Sequence, residues 1–266
     1  MAANTPMPMS RRLFHLRADN LGMTVFIAAL LFFFSSRVDA QTQTDSWDSL
    51  SKSPERLIGL LDLPEIVAGG CGPAPKRDTA RVFRAPSENG PSVGTIDWFE
   101  HGDAWCRLII EQAGGSKETV PTLESGYEIP AAIVYERRGP WFRIRLKDGS
   151  AWIRHNDPKD FLPYPEVLRE NLAHTMQSWD GTLRATPGLS GRVTPLSAGW
   201  KALLDRQLNI QYLGSRRIGN DLWIHIRLAA KGGCGQVYEG VTDVEGWIPA
   251  YHTDRTTLAW FSSRGC

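Results

Sequence analysis

The sequence predicts an all-β chain: two tandem, small, partly open barrels joined by a short connecting helix, behind an N-terminal signal segment. Three observations predict it. Two segments of the chain read alike; within them apolar and polar residues alternate with period two; and the alternating runs end at turns rich in Gly, Asp and Pro. The 25 Gly, 17 Pro and ten Trp of the 266 residues fit short strands and tight turns better than long helices.

Residues 1–40 read as a signal peptide. Arg11, Arg12 and Arg17 precede the apolar run "MTVFIAALLFFF" (23–34), and Val38 and Ala40 stand at −3 and −1 of a cut before Gln41. Twelve apolar residues fall short of the roughly 20 that a spanning helix needs, so no stable membrane span is expected after cleavage. "SRRLF" (10–14) also resembles a twin-arginine export signal. The expected location is periplasmic or secreted. Without its four arginines and two aspartates, the remaining chain has 26 basic and 27 acidic residues. That balance gives no clustered cationic excess for nucleic acid.

Residues 41–75 form an N-terminal linker. Its start, "QTQTDSWDSLSK" (41–52), is polar, and "SPERLIGLLDL" (53–63) predicts a short helix with Ser53 as N-cap and Pro54 in the first turn. The first barrel covers 76–163 and the second 180–266. Between them (164–179), "PEVLRENLAHTMQSW" has Val167 or Leu168, Leu172, Thr175 and Met176 at helical spacing, the expected connecting helix.

The repeat is clearest in "IVYERRGPWFRIRLKDGSAWI" (133–153) and "IQYLGSRRIGNDLWIHIRL…EGWI" (210–248). Both hold a Tyr, an Arg-Arg pair at a turn, a Trp opening a strand and a closing Trp-Ile. In "WFRIRL", Phe142, Ile144 and Leu146 alternate with Trp141, Arg143 and Arg145; in "WIHIRL", Ile224, Ile226 and Leu228 alternate with Trp223, His225 and Arg227. Period two sends the aliphatic set to a core and leaves an aromatic beside cationic or imidazole donors. "ARVFRAPSENGPSVGTI" (80–96) has a weaker echo in "GTLRATPGLSGRVTPL" (181–196).

These segments resemble bacterial SH3-type (SH3b) domains. "VFRAPSENG" (82–90) is similar to the family's opening strand and Gly-rich turn, and "GYEIPAAIVYERRGPWFRIRLKDGSAWI" (126–153) to its later strands; the second copy matches over 181–260. The first copy departs by an insertion of about thirty residues (97–125), the second by extra residues between Trp223 and Trp247. The resemblance implies SH3-like barrels and a non-enzymatic binding or scaffolding protein of the cell envelope, with a peptidoglycan peptide or an envelope protein as partner. The candidate ligand-binding residues are Trp141, Arg143, Arg145, Trp223, His225 and Arg227, because aromatic-plus-Arg surfaces are where binding energy concentrates. An envelope hydrolase, a regulator of one, or a structural subunit of an envelope complex are the alternatives.

The four cysteines point to disulfides in an exported chain. Cys71–Cys106 and Cys234–Cys266 is the simplest pairing, and loops of that size stabilise by roughly 3–4 kcal/mol. Cys71 and Cys234 share a "GGCG" surround, but at non-equivalent places in the repeat. Thiols this far apart lack metal-ligand spacing, and no cofactor or metal is expected. His101 and His225 precede Cys106 and Cys234 without the surround of a cysteine hydrolase. Asp97, Glu100 and Asp103 around Trp98, and Asp243 and Glu245, are ordinary acidic clusters. No catalytic residue is assigned.

Overall fold

Alternating faces dominate the computed structural model, which describes residues 55–67, 78–101, 105–126 and 129–262. The protein is mostly β, with sheets curled into a half-barrel. The expected signal segment lies outside the described residues. Among the described residues, no helix is long and apolar enough to cross a membrane.

The first half contributes β1 (Gly59–Leu61), α1 (Pro64–Val67), β2 (Ala80–Phe83), β3 (Ser92–His101), β4 (Trp105–Gln112), β5 (Lys117–Thr119) and β6 (Thr122–Gly126). It continues with β7 (Ile129–Arg138), β8 (Trp141–Leu146), β9 (Gly149–Arg154) and β10 (Phe161–Pro163). After α2 (Tyr164–Glu170) come β11 (Leu172–Thr175), β12 (Leu183–Arg184), β13 (Val193–Thr194), α3 (Ala198–Lys201), β14 (Asn209–Ile218), β15 (Asp221–Leu228), β16 (Val244–Pro249) and β17 (Ala259–Ser262).

The repeat persists in the topology. The first sheet runs β10-β1-β7-β8-β9-β2-β3, then adds β4 and β5. The second runs β17-β11-β14-β15-β16-β12-β13. Strand for strand the two orders match. The central hairpins also match: Gly139 and Gly219 both turn at φ 58° and both lie between the repeated Arg-Arg pair and Trp. A left-handed residue there suits glycine, which has no Cβ to clash. Each long strand before the turn carries a bulge, at Val134/Glu136 and at Tyr212/Gly214.

Each copy begins earlier than its sequence predicts. The segment 53–63, expected as a helix, instead supplies β1, which pairs with both β7 and β10. The connecting helix stops at Glu170. Leu172–Thr175 then forms β11 between β14 and β17. The insertion at 97–125 is not a loop: it extends the sheet as β4 and β5, and β6 folds back on β7. It buries Trp98, Leu108, Ile110, Val120 and Leu123.

The two sheets share a core. Along β7, alternate residues feed opposite sides: Ala132 and Val134 join Ile96, Phe142 and Ile153 inside the first curl. Ala131, Ile133 and Tyr135 join Tyr164, Val167, Ile224, Ile248 and Trp260 of α2 and the second sheet. A strand buried on both faces is the centre of such a layered packing. Two cross-links pin the seam: the Tyr164 hydroxyl donates to the Ala259 carbonyl, and the Tyr251 hydroxyl to the Leu57 carbonyl at 2.6 Å.

Candidate functional site

Beyond the seam, the outer face of β8, β9 and β2 carries the first set of predicted residues. Trp141 is half-buried and stands edge-on to Phe83, ring centroids 5.5 Å apart. Its cross-strand neighbour is Arg154, which pairs with Glu88. Arg143 lies opposite Trp152 on β9 and Glu136 on β7. Its guanidinium donates to Glu136 at 3.2 Å, to Ser150 at 3.0 Å and to Glu55. Arg145 is half-buried opposite Ser150.

Two further arginines complete this face. The Arg81 guanidinium lies 5.1 Å over the Phe83 ring, and that of Arg138 lies 5.1 Å over Trp152. Phe83 and Trp152 are cross-strand neighbours, both buried beneath these cations. Arg138 bonds Glu136 at 2.7 Å, and together with Arg143 it holds that carboxyl below its usual range, the hydrogen bond from Arg138 being the largest cause. Arg81 has no ion-pair partner among the described residues. The chemistry available is hydrogen bonding and charge pairing to carboxylates, with an aromatic edge alongside. Trp141, Arg143 and Arg145 of this face are among the candidates named from the sequence; Arg81, two residues before Phe83, and Arg138, in the Arg-Arg pair at the Trp141 turn, are not.

The second set diverges from the first. Trp223, the repeat counterpart of Trp141, is only 2% exposed and belongs to the interior rather than to a ligand surface. His225 is stacked on Trp247, its cross-strand neighbour, with centroids 4.7 Å apart. Arg227 donates to Glu245 at 2.7 Å and to Gln211 at 3.1 Å. These groups satisfy one another.

A cleft of about 410 Å³ opens instead where β11 leaves β14. Arg169, Leu172, Asn209, Gln211, Lys231 and Gly232 are among its walls. The first two glycines of the second "GGCG", Gly232 and Gly233, thus line a cavity. A Cβ on Gly232 would meet the Asn209 amide nitrogen at 3.0 Å, so glycine lets this wall close. Arg169 is already paired with Glu166 and Glu170, which limits the positive character of the cleft.

A third grouping surrounds His155, which directly follows β9. Its ring is 8% exposed. Nε2 is hydrogen-bonded to Asp160 Oδ2 at 2.6 Å, and Nδ1 lies 3.2 Å from Glu65 Oε1 on α1. Asp62 is close by: its amide donates to the Asp160 carbonyl at 2.8 Å, and its carboxylate accepts from Ser125 Oγ at 2.5 Å. Burial holds the Asp62 carboxyl above its usual range; the Ser125 hydrogen bond opposes this and the Asp160 charge adds to it. Sequence reading singled out none of these four residues.

The expected disulfides fall on Cys71 and Cys266, outside the described residues, and on Cys106 and Cys234, for which only the backbone is described. No protein-family model matches the chain, and no curated protein or solved structure does so either.

Proposed function

We propose that the chain is an exported, non-enzymatic binding protein of the bacterial cell envelope, built from two divergent SH3b-like units. The first unit carries the ligand face and the second supports it. The observation behind this reading is the pair of guanidiniums stacked on adjacent buried rings, Arg81 on Phe83 and Arg138 on Trp152, beside half-buried Trp141.

Stacking restricts the arginine rotamers before a ligand arrives, which lowers the ordering cost of binding. Among the described residues, the carboxylates Glu55, Glu88 and Glu136 pair with other arginines and leave Arg81 uncompensated. A carboxylate-bearing cell-wall peptide suits that arrangement, through bidentate hydrogen bonds to the guanidinium. The matching face of the second sheet has its imidazole and guanidinium engaged by Trp247 and Glu245, which is why it is assigned the supporting role.

Cosedimentation with purified sacculi tests the reading. The wild type should sediment, and an Arg81→Ala/Arg138→Ala variant should lose most of this at unchanged thermal stability. Wild-type protein that stays in solution would overturn wall binding and favour an envelope protein partner. Release of soluble wall fragments would favour the hydrolase alternative. The same reading includes the disulfides Cys71–Cys106 and Cys234–Cys266. Thiol titration of the denatured, unreduced protein should find none free, and four free thiols would remove that part of it.

A further inference from the structure

We propose that Glu65, His155 and Asp160 form a binding site for one divalent first-row transition-metal ion, with Mn²⁺ and Zn²⁺ the best fits. One imidazole nitrogen and carboxylate oxygens would hold it, and water would complete the shell. The inference is independent of the cation–aromatic face.

Geometry supports it first. One ligand atom from each residue can be chosen so that all three lie within 4.8 Å of one another. The three come from separate elements: α1, the segment after β9, and the 3₁₀ turn Pro158–Asp160 that leads into β10. Asp157 fixes that turn by accepting from the Lys159 amide at 2.9 Å, which sets where Asp160 begins. The histidine is buried, while Glu65 is 40% exposed and Asp160 22% exposed, so one side of the cluster stays open to water ligands.

Charge supports it independently. Glu65 and Asp160 place two carboxylates against one imidazole, and Asp62 is near enough to Asp160 for the two charges to be felt. No lysine or arginine pairs with any of them among the described residues. Asp62 and Asp160 are partly buried, and a bound divalent cation offsets the cost of desolvating such carboxylates directly. The Asp160–His155 contact is also the kind that a metal can replace. Nε2 and Oδ2 now share a hydrogen bond at 2.6 Å; a metal between them needs the two atoms to separate by roughly half an ångström and the exposed Glu65 carboxylate, now beside Nδ1, to swing to the Nε2 side. Nitrogen-plus-oxygen donors suit Mn²⁺, and Zn²⁺ through its imidazole ligand, better than soft ions such as Cu(I).

Mn²⁺ is the probe, because its low affinity for thiolates keeps the cysteines silent. Full-length protein stripped with chelator is titrated with Mn²⁺, and loss of the free-ion EPR signal is followed. One ion per chain should bind, raising the melting temperature. Glu65→Gln and Asp160→Asn should each weaken binding about tenfold or more. Glu65 is exposed enough that its variant should melt like the metal-free wild type, which separates ligation from folding. Glu88→Gln, on the other face, should bind as the wild type does. No uptake by the wild type, or uptake unchanged in both site variants, would overturn the site and leave His155 as a hydrogen-bonded staple.

Discussion

Tyr251, just after β16, donates its hydroxyl to the carbonyl of Leu57, just before β1, at 2.6 Å. The bond crosses from one copy of the repeat to the other. Arg56 lies 5.4 Å over the same ring, and Tyr164 packs beside it with centroids 5.7 Å apart. Burial pushes both phenols to higher pKa, so both stay protonated donors throughout the physiological range.

Tyr251→Phe therefore removes one inter-sheet hydrogen bond and leaves a carbonyl short of a partner. It should cost about 1 kcal/mol. Because one core serves both sheets, urea unfolding followed by tryptophan fluorescence and by far-UV circular dichroism should give coincident single transitions for wild type and variant. Two separated transitions would mean that the copies fold as independent units.

The same repeat position has two fates in Trp141 and Trp223. Trp223→Ala empties a site that is 2% exposed and should cost about 3–5 kcal/mol. Trp141→Ala loses an edge contact with Phe83 and should cost about 1 kcal/mol. Chemical denaturation of the two variants measures the difference. Equal costs would contradict the asymmetry on which the supporting role of the second sheet rests.

The meander of each copy was legible in the sequence because its physics is local. Phe142, Ile144 and Leu146 point inward by period two, as do Ile224, Ile226 and Leu228, and the turn glycines follow the Arg pairs. Strands β1 and β11 were not legible. Leu57, Leu60 and Leu61 fit a helical stripe as well as a strand buried on both faces, where alternation vanishes. The site was legible in part. Trp141 and Arg143 share one strand, but Arg81 reaches them only through the β2–β9 pairing. Glu65 and His155 are brought together by tertiary packing alone, since no local pattern links them.

Gly59 gives a direct test of β1. A Cβ there would stand 2.4 Å from the Leu162 carbonyl oxygen and 2.7 Å from the Phe161 ring. Neither can retreat easily, because β10 is paired along β1 and the Phe161 ring packs against Phe142. Gly59→Ala should destabilise by about 2 kcal/mol or more. Were the segment a solvent-facing helix, the same change would stabilise it. The shift in urea midpoint decides between these signs.

His174 sets a pH dependence. It lies on β11, 9% exposed, paired in register with Asn209 on one side and Trp260 on the other. Burial lowers its pKa from 6.5 to about 4, since the interior disfavours the imidazolium. In the unfolded chain it takes up a proton near pH 6.5, but in the folded chain only near 4. Between those values the unfolded state binds more protons, so this contribution to stability is complete above pH 6.5 and falls away as pH drops toward 4. The full loss is on the order of 3 kcal/mol. His174→Gln should flatten the stability profile between pH 6.5 and 4, measured by urea unfolding at each pH. An unchanged slope would show that His174 is protonated in the folded chain, and therefore that β11 does not bury it.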